Sequence, residues 1–202
     1  MKNRSRVIAA TLIALLAGCG GEPAEEPEVA AREDVPEIDM VEWERIATPG
    51  EHHAHLGLLA GNWRTQAKIW PAPGEPPETA TGTIRAEWTL GGRFLLMSYQ
   101  GEFMGAPFQG VSFEGYDNAA EHYVSVWMDT MGTAINQFIG HCEQEGRVRT
   151  MISEYDDPLT GLPMKTRGVT TIVDPNRFTY TSYLTRPKGT EFKNLEMTAS
   201  RL

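Results

Sequence analysis

The chain has 202 residues, 41% of them hydrophobic, and a net charge of −9 from 18 Lys and Arg against 27 Asp and Glu. That length and apolar content suit a single folded domain with its own core, while the acidic balance, without basic stretches interleaved by aromatics, argues against nucleic acid as a partner. Cys19 and Cys142 are the two cysteines, too few for a disulfide framework.

The chain opens with Lys2, Arg4 and Arg6 ahead of an apolar run over residues 7–17. A bilayer-spanning helix needs about 20 apolar residues, so this pattern is a secretory signal and not a span. Leu16, Ala17, Gly18 and Cys19 resemble the lipobox of bacterial lipoproteins. The resemblance implies removal of residues 1–18 and acylation of Cys19, with the membrane as a partner through the lipid anchor; each buried methylene contributes about 0.8 kcal/mol. Gly20 stands where an inner-membrane retention signal places Asp. By likeness to that sorting rule the expected location is the cell envelope, on the outer membrane facing the periplasm. A thioether at Cys19 would leave Cys142 without an intramolecular partner, so the fold must rest on burial alone.

Residues 19–42 read as a lipidated, acidic tether. Between residues 20 and 40 eight acids stand against Arg32, a balance of −7 within the chain's −9. A stretch this rich in Glu, Pro and Ala buries too little surface to offset its ordering entropy, so a disordered spacer is expected. The acidity therefore belongs to the tether and not to an active site. Residues 43–202 form the expected domain.

One short helix is expected over residues 51–60, where Leu56 and Leu59 are a turn apart and Gly61 ends the pattern. Beyond it the chain alternates: Ile84, Ala86, Trp88 and Leu90 share one face, Arg85 and Glu87 the other. Turn signals recur at Gly91-Gly92, Gly105-Ala106-Pro107, Asp117-Asn118, Gly132, Glu145-Gly146, residues 157–161, Asp174-Pro175-Asn176 and Lys188-Gly189. About ten strands result, with no second interval of helix length. The predicted fold is all-β, a single antiparallel up-and-down barrel closed to remove its edges.

In the strand expected over residues 121–129, Tyr123, Ser125, Trp127 and Asp129 share one face. Two aromatics, a hydroxyl and a carboxylate suit the wall of a ligand chamber, and equally a packed core with an acid at its rim. A hairpin turning about Thr160 and Gly161 would set Glu154 opposite Arg167, Ile152 opposite Val169 and Val148 opposite Val173, with Glu154 and Arg167 inward. The other face, with Met151, Tyr155, Gly168 and Ile172, leaves the reverse open. The candidate pocket is Tyr99, Trp127, Asp129, Glu154 and Arg167, with Arg167 orienting an acidic head group and Glu154 limiting its charge.

Several stretches together resemble the bacterial family called domain of unknown function 1579. They are His53, Leu56, Leu59, Gly61 and Trp63; residues 87–95, 101–110 and 156–161; the Gly-Tyr-Asp-Asn turn with the strand after it; Lys165 and Arg167; and residues 191–197. The family's fold is placed among the calycins, so the resemblance implies a lipocalin-like barrel, and it brings no activity with it. Gly61-Asn62-Trp63 is also similar to the lipocalin signature, whose tryptophan closes one barrel end beneath an arginine of the last strand. That implies a cation-π contact between Trp63 and Arg201, of about 1 kcal/mol.

His52, His53 and His55 lack further ligands at metal-site spacing and read as a solvated helix start, so no metal is expected. No Gly-x-Ser-x-Gly elbow occurs, and Cys142 and His141, adjacent on a strand, point to opposite faces. Asp156-Asp157 and Glu143 with Glu145 fall at turns, where acids are solvated. A haem would need an inward histidine, for which His141 is the strand candidate. No catalytic residue and no cofactor is therefore assigned, and the reading leans away from an enzyme. The expected function is binding of a small apolar or amphipathic ligand by a membrane-anchored envelope lipoprotein. Its rivals are an envelope interaction protein with a filled barrel, marked by an exposed apolar patch, and an enzyme using interior carboxylates. Composition and pattern leave the oligomeric state open.

Overall fold

The computed structural model describes residues 38–187 and 189–202. The signal, the lipobox with Cys19 and most of the expected tether lie outside the described residues. Two short helices, α1 (Met40–Ala47) and α2 (Glu51–Leu56), lead through a 3-10 turn (Gly57–Leu59) into ten strands. The strands are β1 (Gly61–Ile69), β2 (Glu78–Thr89), β3 (Phe94–Phe103), β4 (Ala106–Asp117), β5 (His122–Asp129), β6 (Asn136–Glu143), β7 (Val148–Asp156), β8 (Pro163–Asp174), β9 (Arg177–Thr185) and β10 (Phe192–Arg201). Each pairs antiparallel with its neighbours in sequence, and β1 pairs with β10 to close the barrel. Closure leaves no unpaired strand edge, so every ladder is two-sided.

Helix α1 precedes the expected helix, which α2 and the 3-10 turn supply, and it starts at Met40, within residues 19–42. Hydrogen bonds from near and far in the chain hold it, with one ion pair. The Asp39 carboxylate accepts from the amides of Val41 and Glu42 at 2.9 and 3.3 Å, and Arg45 bridges to Glu42. Asn118, in the turn after β4, donates to the carbonyls of Ile46 and Thr48 at 3.0 and 2.8 Å. No residue of α1 is buried; Met40, Trp43 and Ile46 recur at helical spacing, but their stripe enters no core.

Helix α2 and the 3-10 turn plug one end of the barrel. His53, Leu56 and Leu59 are buried there, and the Gly50 amide donates to His53 Nδ1 at 3.1 Å, capping α2. Beneath this plug Leu59, Trp63, Ile84, Leu95 and Phe178 form the main apolar cluster, each large side chain contributing about 1.5–3 kcal/mol on full burial. Trp63 Nε1 donates to the Leu59 carbonyl at 2.8 Å, while the Arg201 guanidinium carbon lies 4.1 Å from the centre of the Trp63 ring. Arg201 also donates to the carbonyls of Ala60 and Pro175, both at 2.9 Å. The last strand is thereby fastened across the closed end.

The β7–β8 hairpin differs from its expected register. Glu154 pairs with Lys165, Ile152 with Arg167 and Val148 with Thr171, two residues out of step with the expectation. The cause is the turn: the Asp157 side chain accepts from the amides of Leu159 and Thr160, Gly161 takes a positive φ of 67°, and the loop centres one residue early. An even offset keeps each residue on its own face, but the inward face is the one carrying Arg149, Met151, Ser153, Gly168 and Thr170.

Candidate functional site

Inside the barrel lies a chamber of about 420 Å³, within the range of small-molecule sites. Its upper wall and mouth are aromatic. Tyr99, Phe108 and Trp127 line it with Phe103 and Phe138; Phe108 stands edge-on to Tyr99 at 5.6 Å and roughly parallel to Trp127 at 6.5 Å. Ile69, Ala80, Met97, Leu195 and Met197 make the rest of the wall apolar. Glu102 and Met131, exposed at the end opposite the plug, mark the opening.

Glycines create this space. A Cβ at Gly82 or Gly101 would collide with the Tyr99 hydroxyl, one at Gly110 with the Trp127 indole, and one at Gly168 with the Tyr180 ring. Each large ring lies over a strand position without a side chain, which keeps the strand pleat intact while the ring turns inward. Asp129 fixes the indole further: its carboxylate accepts from Trp127 Nε1 at 2.6 Å and from the Met131 amide at 2.9 Å.

The floor, just above the plug, is polar. Glu114 and Arg149, 8% and 7% exposed, meet at 3.0 Å, and Ser125 Oγ donates to the other Glu114 oxygen at 3.0 Å. Ser112, Thr170, Tyr180 and Ser182 complete the floor. Burial pushes the Tyr180 hydroxyl up to about 12, so it remains a protonated donor at neutral pH. Removing two charges from water is costly, and such a pair is retained only where each charge compensates the other.

The residues singled out from the sequence divide. Tyr99, Trp127 and Asp129 line the chamber together. Glu154 and Arg167 do not: Glu154 bridges to Lys165 at 2.9 Å outside the barrel, and Arg167 binds Glu191 through two hydrogen bonds while lying over Tyr183. Their inward placement is corrected by the hairpin faces described above, and neither can orient a head group in the chamber. Glu114, Arg149 and Tyr180 went unnoticed in the sequence. The signal for Arg149 was present, because it shares a strand face with Met151 and Ser153. Glu114 shares one with Ser112, but nothing local links the two strands.

Elsewhere the chemistry is quiet. Burial pushes the Cys142 thiol up, and its neighbour is the Tyr123 hydroxyl. His141 is exposed, 3.7 Å from Glu143 on the outer surface, so it is no inward haem ligand. Tyr123 lies 3.1 Å from His55 Nδ1, and His52 stacks on Tyr116 at 4.1 Å; these histidines join the plug to the barrel. Among the described residues no group of three or more His, Cys, Asp or Glu is placed to hold a metal.

Nineteen solved chains share significant structural similarity with this one. The crystal structure of Rv2717c from M. tuberculosis aligns with a TM-score of 0.59 at 14% identity, covering 77% of this chain and 99% of that one. A redesigned β-barrel, b11L5F_LGL, gives a TM-score of 0.38 at 17% identity over 72% of this chain and 93% of its own. The DFHBI-bound EF1p2_mFAP2b gives 0.42 at 13% identity over 75% and 99%. At such identities the first of these shows a shared fold and carries no ligand across. No curated protein matches the chain. The family model described as "Protein of unknown function (DUF1579)" matches residues 48–201, a span that contains the plug and all ten strands, and the chain belongs to that family.

Proposed function

We propose that this protein is a lipid-anchored envelope protein whose barrel binds a small amphipathic molecule. The observation that carries the reading is the chamber: about 420 Å³, walled by apolar and aromatic side chains, and ending on a buried polar floor. A protein with no use for the space would fill it, since an apolar void forfeits contacts on every side. The amino-terminal pattern ending at Cys19 supports the anchor, and Gly20 supports the outer membrane. Glu114, the buried interior acid, is engaged by Arg149 and Ser125, which suits positioning better than proton transfer.

Protein purified from membranes and analysed by denaturing mass spectrometry should release a stoichiometric small amphiphile, and should carry acyl mass on Cys19. An extract without small molecules, together with no displacement of a bound dye by any lipid class, would remove the binding reading. A Cys19→Ser chain that still partitions with membranes would remove the anchor.

A further inference from the structure

The chamber is chemically graded from end to end, and the grading specifies a head group. Resting on the binding reading above, we propose that the chamber takes a single-chain amphiphile with an uncharged, oxygen-bearing head of the glyceride or hydroxy-ester kind. The head sits on Glu114 and Arg149 and the chain runs toward Phe108 and Trp127.

The floor is charge-neutral. Glu114 and Arg149 cancel at 3.0 Å, and Ser125 holds the second carboxylate oxygen. A fatty carboxylate arriving there would leave a net negative charge where water is scarce, or would have to take Arg149 from Glu114 and strand that acid. A cationic head meets the mirror problem with Arg149. An uncharged head avoids both.

The floor also offers both halves of a hydrogen-bonding code. A guanidinium carries five N–H donors; Arg149 turns toward Glu114 while also lining the chamber, and its fork presents donors to carbonyl or ether oxygens. The Tyr180 hydroxyl and the Ser182 and Thr170 side chains stand beside it on the same wall. Glu114, an acceptor on both oxygens, suits a ligand hydroxyl. A head bearing hydroxyl and carbonyl oxygens together satisfies this set, whereas a bare hydrocarbon leaves it facing apolar atoms.

The mouth selects in the same direction. Glu102 and Asp129 border the opening, and their field disfavours entry of an anion.

The test uses the full chain carrying Cys19→Ser, titrated at pH 8 with monolauroylglycerol, laurate, dodecyltrimethylammonium and dodecane, with tryptophan emission as the readout. Monolauroylglycerol should bind about tenfold more tightly than either charged amphiphile, a difference of about 1.4 kcal/mol. The charge-neutral Glu114→Gln/Arg149→Met variant should still disfavour both charged heads but should lose most of the glyceride's advantage over dodecane, because the Arg149 donors and the Glu114 carboxylate that favour a polar head are gone. Orientation is read without altering the floor: glycerides brominated at the chain terminus should quench the emission that Trp127→Phe abolishes more strongly than those brominated beside the head. Laurate or the cation binding as tightly as the glyceride would overturn the head-group assignment while leaving a binding protein. A glyceride advantage over dodecane that survives undiminished in the double variant, or quenching in the reverse order, would overturn the seat. Failure of all four probes to bind would overturn this inference and the binding reading together.

Discussion

The indole of Trp127 lies across the backbone of Gly110 on the neighbouring strand, so closely that a Cβ at position 110 would overlap its six-membered ring. The pair sets the width of the chamber below the mouth, because the ring can lie inward only where the facing strand carries no side chain.

Gly110→Ala should therefore displace the indole and destabilise the barrel by about 1–3 kcal/mol, the usual range for overpacking. The near-UV circular dichroism of Trp127 should change, and amphiphile binding should weaken. Trp127→Leu in the same background should recover most of the stability. An alanine variant with unaltered stability and spectrum would show that the indole does not occupy this position.

Arg149→Met should be far more costly than its double counterpart. Leaving Glu114 buried without its partner is expected to cost about 3–5 kcal/mol, read from urea unfolding midpoints at pH 7. Glu114→Gln/Arg149→Met removes both charges and should return to within about 1–2 kcal/mol of the parent. Equal losses from the single and double variants would show that the pair does not act as a unit.

Arg201→Ala should open the plugged end. It removes the guanidinium from the Trp63 face and two hydrogen bonds to the carbonyls of Ala60 and Pro175. We expect a loss of about 2 kcal/mol, with Arg201→Lys restoring less than half because an ammonium cannot reproduce the planar fork. Hydrogen exchange should rise first in β1 and β10. Unchanged exchange there would disconnect Arg201 from closure.

The plug should respond to acid. Burial, with His52 and Arg93 nearby, holds His53 below its ordinary value of 6.5, and its neutral Nδ1 accepts from the Gly50 amide. A histidine depressed in the folded state binds its proton more readily when unfolded. Its contribution is thus complete above 6.5 and is lost as the pH falls from there through the folded value. Unfolding midpoints should drop between pH 7.5 and pH 5, and His53→Gln, which keeps an acceptor without a titrating ring, should flatten that slope. A slope identical in both proteins would exclude His53 as its source.

The legible parts of this molecule were those set by the backbone near at hand. Turn residues at short spacing announced about ten strands, and the alternation of Tyr123, Ser125, Trp127 and Asp129 described one strand face correctly, because the pleat sends successive side chains to opposite sides whatever lies around them. Trp63 and Arg201 were paired only through the likeness of Gly61-Asn62-Trp63 to the lipocalin signature; in the closed barrel β1 and β10 are neighbours and the two side chains meet. Helix α1 escaped notice although Met40, Trp43 and Ile46 recur at helical spacing, because its eight residues fall short of the window over which such a pattern is read.

Pattern alone could divide β7 and β8 into two faces, but it could not say which face was inside. Both carry a mixture of aliphatic and charged groups, and the choice rests on what arrives from across the barrel. Arg149 is acceptable in the interior because Glu114 reaches it from β4, 35 positions earlier in the chain, while Arg167 finds Glu191 on the outside. Local periodicity is a property of one strand, whereas the neutralisation of a buried charge needs a second strand brought within hydrogen-bond distance. Only the closed barrel supplies that, and with it the floor of the chamber.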